Sequence, residues 1–291
     1  MVLLAAGWLF FRFYLPVGSG PAGPAVAREF FSKPWTSRKV HLVGLGDSMT
    51  AGFGARKSYS YFDLLAANPP DEWPAMKGIS LGAVFPNLRT TNLAISGSTS
   101  IEHLARELPR LEVADSNTLG VVVVTTGGND LIHNYGRTPP RAGAMYGATW
   151  EQAQLWLADY ESRLETMIAE IQSRFPGGCH IFLANIYDPT DGMGDMPRAG
   201  LPAWPDGLRL LAGYNQIIRR CKERHAGVYL VNLHDSFLGH GIHCAQFWRE
   251  HYQSDDPHYW YNINLEDPNE RGYDAIRRLF LNEMAKVAKQ L

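Results

Sequence analysis

Cysteine, surplus charge and long apolar runs are all scarce in this chain of 291 residues. The three cysteines, Cys179, Cys221 and Cys244, are widely spaced and odd in number. They form no CxxC pair and no disulfide framework, so free buried thiols are the simplest reading. The formal net charge is −2, with lysines and arginines scattered along the chain. A nucleic-acid partner, which calls for a clustered basic surplus, is therefore not expected. Short basic pairs such as Arg219-Arg220 and Arg277-Arg278 read as solvated helix faces. The pattern shows neither an internal repeat nor a second domain.

The one strongly apolar run, Val2 to Val17, is broken by Arg12. It is short of the roughly 20 residues that a membrane span needs. It also lacks a basic n-region and an A-x-A cleavage site directly after it. Residues 1–17 are read as a signal anchor or signal-like segment, with a buried N-terminal helix as the alternative. Residues 18–38 are Gly/Pro-rich and read as a tether. Residues 39–291 then form the main domain, expected to be membrane-anchored or exported, in the cell envelope or periplasm.

From Lys39 onward, β-rich runs alternate with helical patterns. The runs are 39–45, 88–95, 119–126, 180–186 and 227–233. The third, with four consecutive valines, is apolar on both faces, as a central parallel strand must be. Leu157, Tyr160, Leu164, Ile168 and Ile171 recur at steps of three and four, one apolar helix stripe. A second such stripe carries Leu211, Tyr214, Ile218 and Cys221, and a third carries Ile276, Phe280 and Met284. Asp267 is placed to cap that last helix, with Pro268 and Glu270 in its first turn. The alternation predicts an α/β three-layer sandwich around a five-stranded parallel sheet. Ligands then belong beyond the carboxyl ends of the strands. Two long irregular stretches, 132–148 and 187–205, are candidate walls of a substrate cleft.

The stretch "VGLGDSMTAGFGA" (43–55) follows the first strand. A dinucleotide fingerprint fails at its third glycine, where Met49 stands, and no G-K-[ST] triplet completes a P-loop. A serine nucleophile fits better. Ser48 falls just past the strand, beside Gly46 and the first backbone N–H groups of a helix. Gly97 follows the second strand, and Asn129 lies in "TTGGNDL" after the third. With the Ser48 N–H they supply donors for an oxyanion hole. Asp130 reads as a brace for the Asn129 turn.

These three blocks resemble the SGNH, or GDSL, hydrolases: Gly46-Asp47-Ser48, then Gly97, then Gly127-Gly128-Asn129-Asp130. The resemblance implies a flavodoxin-like SGNH hydrolase fold and cleavage of carboxylic esters through an acyl-serine. It places the nucleophile at Ser48 and the oxyanion donors at Ser48, Gly97 and Asn129. It implies no metal and no organic cofactor. The expected partner is a small-molecule, glycan or lipid ester, either an acylated lipid or an acetylated carbohydrate.

The family's last block, D-x-x-H followed by P-N-x-x-G-Y, is altered here. "PNERGY" is present, but Asp267 precedes it where histidine is usual, and Asn264 stands three residues earlier. The D-x-x-H spacing recurs nine residues upstream in Asp255-Asp256-Pro257-His258. His258 is therefore the expected base, oriented by Asp255, with Asp256 a competitor. The alternative is a non-catalytic binding protein on the same fold. His234, His240, His243, His251 and Cys244 lack paired zinc-ligand spacing. Asp188, Asp191 and Asp195 lack calcium-loop spacing and fit Asx-turns. Trp248, Tyr252, Tyr259, Trp260 and Tyr261 are read as core and rim, with a sugar- or acyl-binding face as the functional alternative.

Overall fold

The computed structural model describes residues 7, 9 and 14–290, so most of the expected anchor at 1–17 lies outside the described residues. No described helix is long and apolar enough to cross a membrane. Five parallel strands form the sheet: β1 (Lys39–Leu45), β2 (Leu88–Asn92), β3 (Thr118–Val124), β4 (Cys179–Ala184) and β5 (Val228–Val231). The main helices are α1 (Ser48–Ala51), α2 (Tyr61–Ala66), α3 (Gly128–Ile132), α4 (Trp150–Ser173), α5 (Gly207–Arg224) and α6 (Glu270–Lys286).

The strand order is β2-β1-β3-β4-β5. The chain steps from β1 to β2 in one direction and then crosses back to β3, on the other side of β1. That reversal opens a crevice beyond the carboxyl ends of β1 and β3, where open α/β sheets place their ligands.

Both sheet faces are covered, and the valine run shows how. Val121 and Val123 point into a core shared with α2 and α6, through Phe62, Ile276 and Phe280. Val122 and Val124 point into the opposite core, with Leu157, Leu164 and Ile168 of α4 and Leu210 and Ile218 of α5. The period of two in the strand meets the periods of three and four in the helices. Each such fully buried Leu or Ile is worth about 1.5–3 kcal/mol against exposure. The three cysteines are free, and Cys221 and Cys244 are buried.

Two readings of α6 need correction. Its N-cap is Asn269, whose side chain accepts from the N–H groups of Arg271 and Gly272; Asp267 does not cap it. Asp267 is held outside the helix because its carbonyl accepts from Asn262 N–H at 2.7 Å. Likewise Arg277 and Arg278 are not solvated: they are 1% and 5% exposed. Arg277 pairs with Glu72 and Asp274, and Arg278 with Asp274. Glu72 covers Arg277, and the Gly/Pro-rich stretch, which lies along the helix, covers Arg278 through the Pro24 carbonyl. Ala22 N–H donates to Asp274, Arg271 to the carbonyls of Ser19, Gly20 and Pro21, and Asn282 to Ala25. Helical periodicity cannot reveal a cover supplied by chain some 250 residues away in sequence.

Candidate active site

The turn after β1 is built to present Ser48. Gly46 adopts φ +135°, a region that favours glycine, and a Cβ there would overlap the carbonyl oxygen and hydroxyl of Thr125. Asp47 caps α1 by accepting from Met49 N–H at 3.2 Å, and Thr125 Oγ1 donates to the same carboxylate at 2.8 Å. Burial pushes the Asp47 carboxyl above its ordinary range. These contacts fix the backbone on both sides of Ser48, which is itself half-buried.

The second and third blocks are locked to this turn through buried polar groups. Glu107 accepts from Gly46 N–H at 2.8 Å, from Ser98 Oγ at 2.9 Å and from His103 Nδ1 at 2.9 Å. Burial works against a charged His103, and the Glu107 carboxylate outweighs it, leaving the imidazole above its ordinary value. Asp130 accepts from Ser100 N–H at 2.8 Å and Ser100 Oγ at 2.5 Å, and Arg163 reaches it at 3.4 Å. Asp130 thus braces the Asn129 turn against the second block. Asn129 Nδ2 donates to the carbonyl of Ser98 at 2.8 Å. The backbone N–H groups of Ser48 and Gly97 donate to no protein group among the described residues. Gly97 is exposed, at φ +81°.

Ser48 and Asn129 sit on the wall of a cavity of about 220 Å³. Its other walls are mostly apolar: Leu131, Ile132, Tyr146, Ile186, Trp204 and Leu211. Both long irregular stretches contribute to it, 132–148 through Ile132, Tyr135 and Tyr146, and 187–205 through Tyr187 to Trp204. Asp188 makes an Asx-type turn there, accepting from Thr190 N–H and Gly192 N–H. Asp191 fastens the loop to Gly239, Gly241 and His243.

The structure does not bring the expected base to this cavity. His258 is absent from the residues that line it, as is every other described histidine. The His258 ring packs against Gly18, and its Nδ1 pairs with Asp256 at 2.6 Å. Asp256 in turn binds the Arg271 guanidinium and accepts from Trp260 Nε1. Asp255 is exposed, its one side-chain bond coming from Ser254 at 3.4 Å, so Asp256 is the carboxylate that orients the ring. Tyr259, Trp260 and Tyr261 are buried core, while Trp248 is exposed.

What stands beside Ser48 is Asp267. It is 2% exposed, and burial pushes its carboxyl above the ordinary range against the opposing pull of the Ser48 hydroxyl and the Asn264 amide. Asn264 Nδ2 donates to Asp267 Oδ2 at 2.7 Å, and Asn264 Oδ1 accepts from Asp267 N–H at 3.3 Å. Oδ1 of Asp267 is buried with no hydrogen-bond partner among the described residues. Asn264, Leu265 and Glu266 line the cavity, while Asp267 and Gly97 are not among its lining residues. The signal for this arrangement is the "PNERGY" flank, whose preceding residue, Asp267, lies within the pull of the Ser48 hydroxyl.

The model of the GDSL-like lipase/acylhydrolase family matches residues 45–275. No curated protein matches the sequence. Among solved structures, the chain is similar to an extracellular lipase from Streptomyces rimosus, at 18% identity and TM-score 0.55. That match covers 84% of this chain and 99% of the lipase. It is also similar to a catalytic mutant of an acetylxylan esterase from Geobacillus stearothermophilus, at 18% identity and TM-score 0.52, covering 86% of this chain and 95% of that one. At such identities the likeness speaks for the fold.

Proposed function

Because the chain belongs to the GDSL-like lipase/acylhydrolase family, we propose that it hydrolyses carboxylic esters through an acyl intermediate on Ser48. The observation that carries this is the convergence at one cavity of a serine on a strained turn and the amide of Asn129. Ser48 Oγ attacks the ester carbonyl. The N–H groups of Ser48 and Gly97 and the Asn129 amide receive the oxyanion, each such donor being worth about 3 kcal/mol in the transition state.

The apolar walls favour the acyl-lipid side of the two substrate classes. A cavity of ~150 Å³ lined by apolar residues takes a six-carbon ring, so this one suits an acyl tail of roughly nine carbons. An acetyl group would leave most of it unfilled. The leaving group then sits at the open mouth, where Ile263 is exposed. An envelope location with the N-terminus at a membrane fits a lipid ester and stays part of the proposal.

The second reading is a non-catalytic protein that binds acyl groups on this fold, and the lack of a histidine among the described cavity residues favours it. Turnover of p-nitrophenyl esters from acetyl to dodecanoyl by the full chain separates the two. The enzyme reading expects a maximum at medium chain length and a loss of about 10⁴-fold or more in Ser48→Ala. Binding of medium-chain fatty acid with no turnover of any ester would establish the second reading.

A further inference from the structure

The altered last block leaves a chemical question: what takes the proton from Ser48. We propose that Asp267 is the general base of this site and Asn264 its positioning residue, so that Ser48–Asp267–Asn264 replaces a serine–histidine–carboxylate triad. The proposal rests on the ester-hydrolase reading above.

Three observations carry it. Asp267 is buried within the pull of the Ser48 hydroxyl and has one carboxylate oxygen, Oδ1, with no hydrogen-bond partner among the described residues. Its other oxygen is held by Asn264 Nδ2 at 2.7 Å, the place that a carboxylate takes behind an imidazole. Its backbone is pinned by Asn262 N–H and by Asn264 Oδ1, so the carboxylate is aimed by a closed turn. Apo hydrogen bonds at catalytic pairs are commonly loose and tighten with substrate, which accommodates an Asp267 Oδ1 that is not hydrogen-bonded in the free protein.

An ordinary carboxylate is too weak a base to serve well near neutral pH, and the surroundings address this. The ionisable groups facing Asp267 are Asp47 after β1, Tyr135 and Tyr187 in the cavity loops, Glu266 beside it and Tyr273 of α6. None of these is a cation, the tyrosines are neutral near neutral pH, and burial is what favours the protonated form of Asp267. The base is thereby strengthened in the direction that general-base catalysis requires.

The steps balance without another reactant. As Ser48 Oγ bonds to the ester carbon, its proton passes to Asp267 and the carbonyl π pair moves to oxygen. Collapse of that intermediate breaks the bond to the leaving alkoxide, which takes the proton from Asp267. Water then gives a proton to Asp267 and attacks the acyl carbon. The second collapse breaks the bond to Ser48 Oγ, which recovers the proton and releases the acid.

The test uses the full chain with medium-chain p-nitrophenyl esters across pH, together with labelling of Ser48 by an alkyl fluorophosphonate read by intact mass. Asp267→Asn is expected to lose at least about 100-fold in kcat/KM and in labelling rate while remaining folded. Asn264→Ala removes a donor that favours the carboxylate. Asp267 is then harder to ionise, and the acid limb of the kcat/KM profile moves to higher pH. A purely structural asparagine would lower activity without moving the limb. Asp267→Asn within a few-fold of wild type, an acid limb unmoved in Asn264→Ala, or a limb removed instead by Glu266→Gln would each overturn the assignment. In those cases Ser48 still turns over and labels, so the ester-hydrolase reading stands. A wild type that neither hydrolyses nor labels would overturn both.

Discussion

Two tetrapeptides nine residues apart, Asp255-Asp256-Pro257-His258 and Asn264-Leu265-Glu266-Asp267, divide between them what one block usually holds. The first has the residue types of a catalytic pair and forms that pair internally, His258 on Asp256. Yet it is spent on packing: its carboxylate binds Arg271 and its ring covers Gly18. The second has unexpected residue types and the catalytic location, with Asp267 beside Ser48. A spacing of three along the chain is cheap to satisfy by chance. A position fixed against the nucleophile by the start of α6 is not, so location outranks residue type when the two disagree.

If that division is correct, damage to the first segment should appear as lost stability. Asp256→Ala removes the partner of both His258 and Arg271, and Arg271 is 8% exposed. An unpaired buried guanidinium commonly costs 3–5 kcal/mol. Asp256 retains partial solvent access, which reduces this to about 2 kcal/mol. Urea denaturation at pH 7 measures it, with kcat/KM per folded molecule unchanged. Unaltered stability would show that the segment holds nothing, and lost turnover at full stability would return it to the chemistry.

Much of the fold was readable in advance because its determinants are local. Five β-rich runs and three amphipathic helices carry their periods in consecutive residues, and the strands begin within a residue of their expected starts. Ser48, Asn129 and the bracing Asp130 were readable because each sits directly after a strand or within its turn. Asp267 was not, since Asp-Pro-x-Glu is also the local pattern of a helix start. The competition was decided by a contact outside that window: Asn262 N–H claims the Asp267 carbonyl, and capping falls to Asn269 two residues later. The burial of Arg277 and Arg278 was hidden for the same reason, the first being covered at Glu72 and the second at Pro24, both far away in sequence.

Acid sharpens the comparison, because the two aspartates should respond with opposite sign. Burial favours protonation of Asp256, but its His258 and Arg271 partners outweigh this and hold it below the ordinary carboxylate range. Its stabilising contribution is therefore present above the unfolded value of about 3.9 and lost as pH falls through the lower folded value. Asp267 is raised by burial, so its folded form holds a proton that the unfolded chain has released. It stabilises the protein when protonated, and that contribution is lost as pH rises through the raised folded value. Asp267→Asn should accordingly be more stable than wild type at pH 7, with the gap closing as pH falls toward the ordinary carboxylate range. Asp256→Asn should be less stable at pH 7, with its gap closing below about pH 4. Thermal melts from pH 3 to 8 read both, and gaps of the same sign would break the contrast. A gain in stability from removing a catalytic group is the expected trade at a site built for chemistry.

The smallest effect is expected at the residue that residue type alone would make most important. His258 is 34% exposed, and its ring is one of three hydrogen-bond partners of Asp256, beside Arg271 and Trp260 Nε1. Glutamine in its place keeps an N–H that can reach Asp256, and Arg271 continues to satisfy the carboxylate. His258→Gln should therefore change stability by about 0.5 kcal/mol or less, within the range of surface substitutions. Its kcat/KM should match wild type within twofold at every pH, including the acid limb. The pH series matters more than a single rate. A base reached only during turnover, by a movement of the 255–258 segment, would leave the folded protein intact and still remove the limb. An unchanged limb in His258→Gln, beside a shifted one in Asn264→Ala, leaves Asp267 as the group whose ionisation governs Ser48.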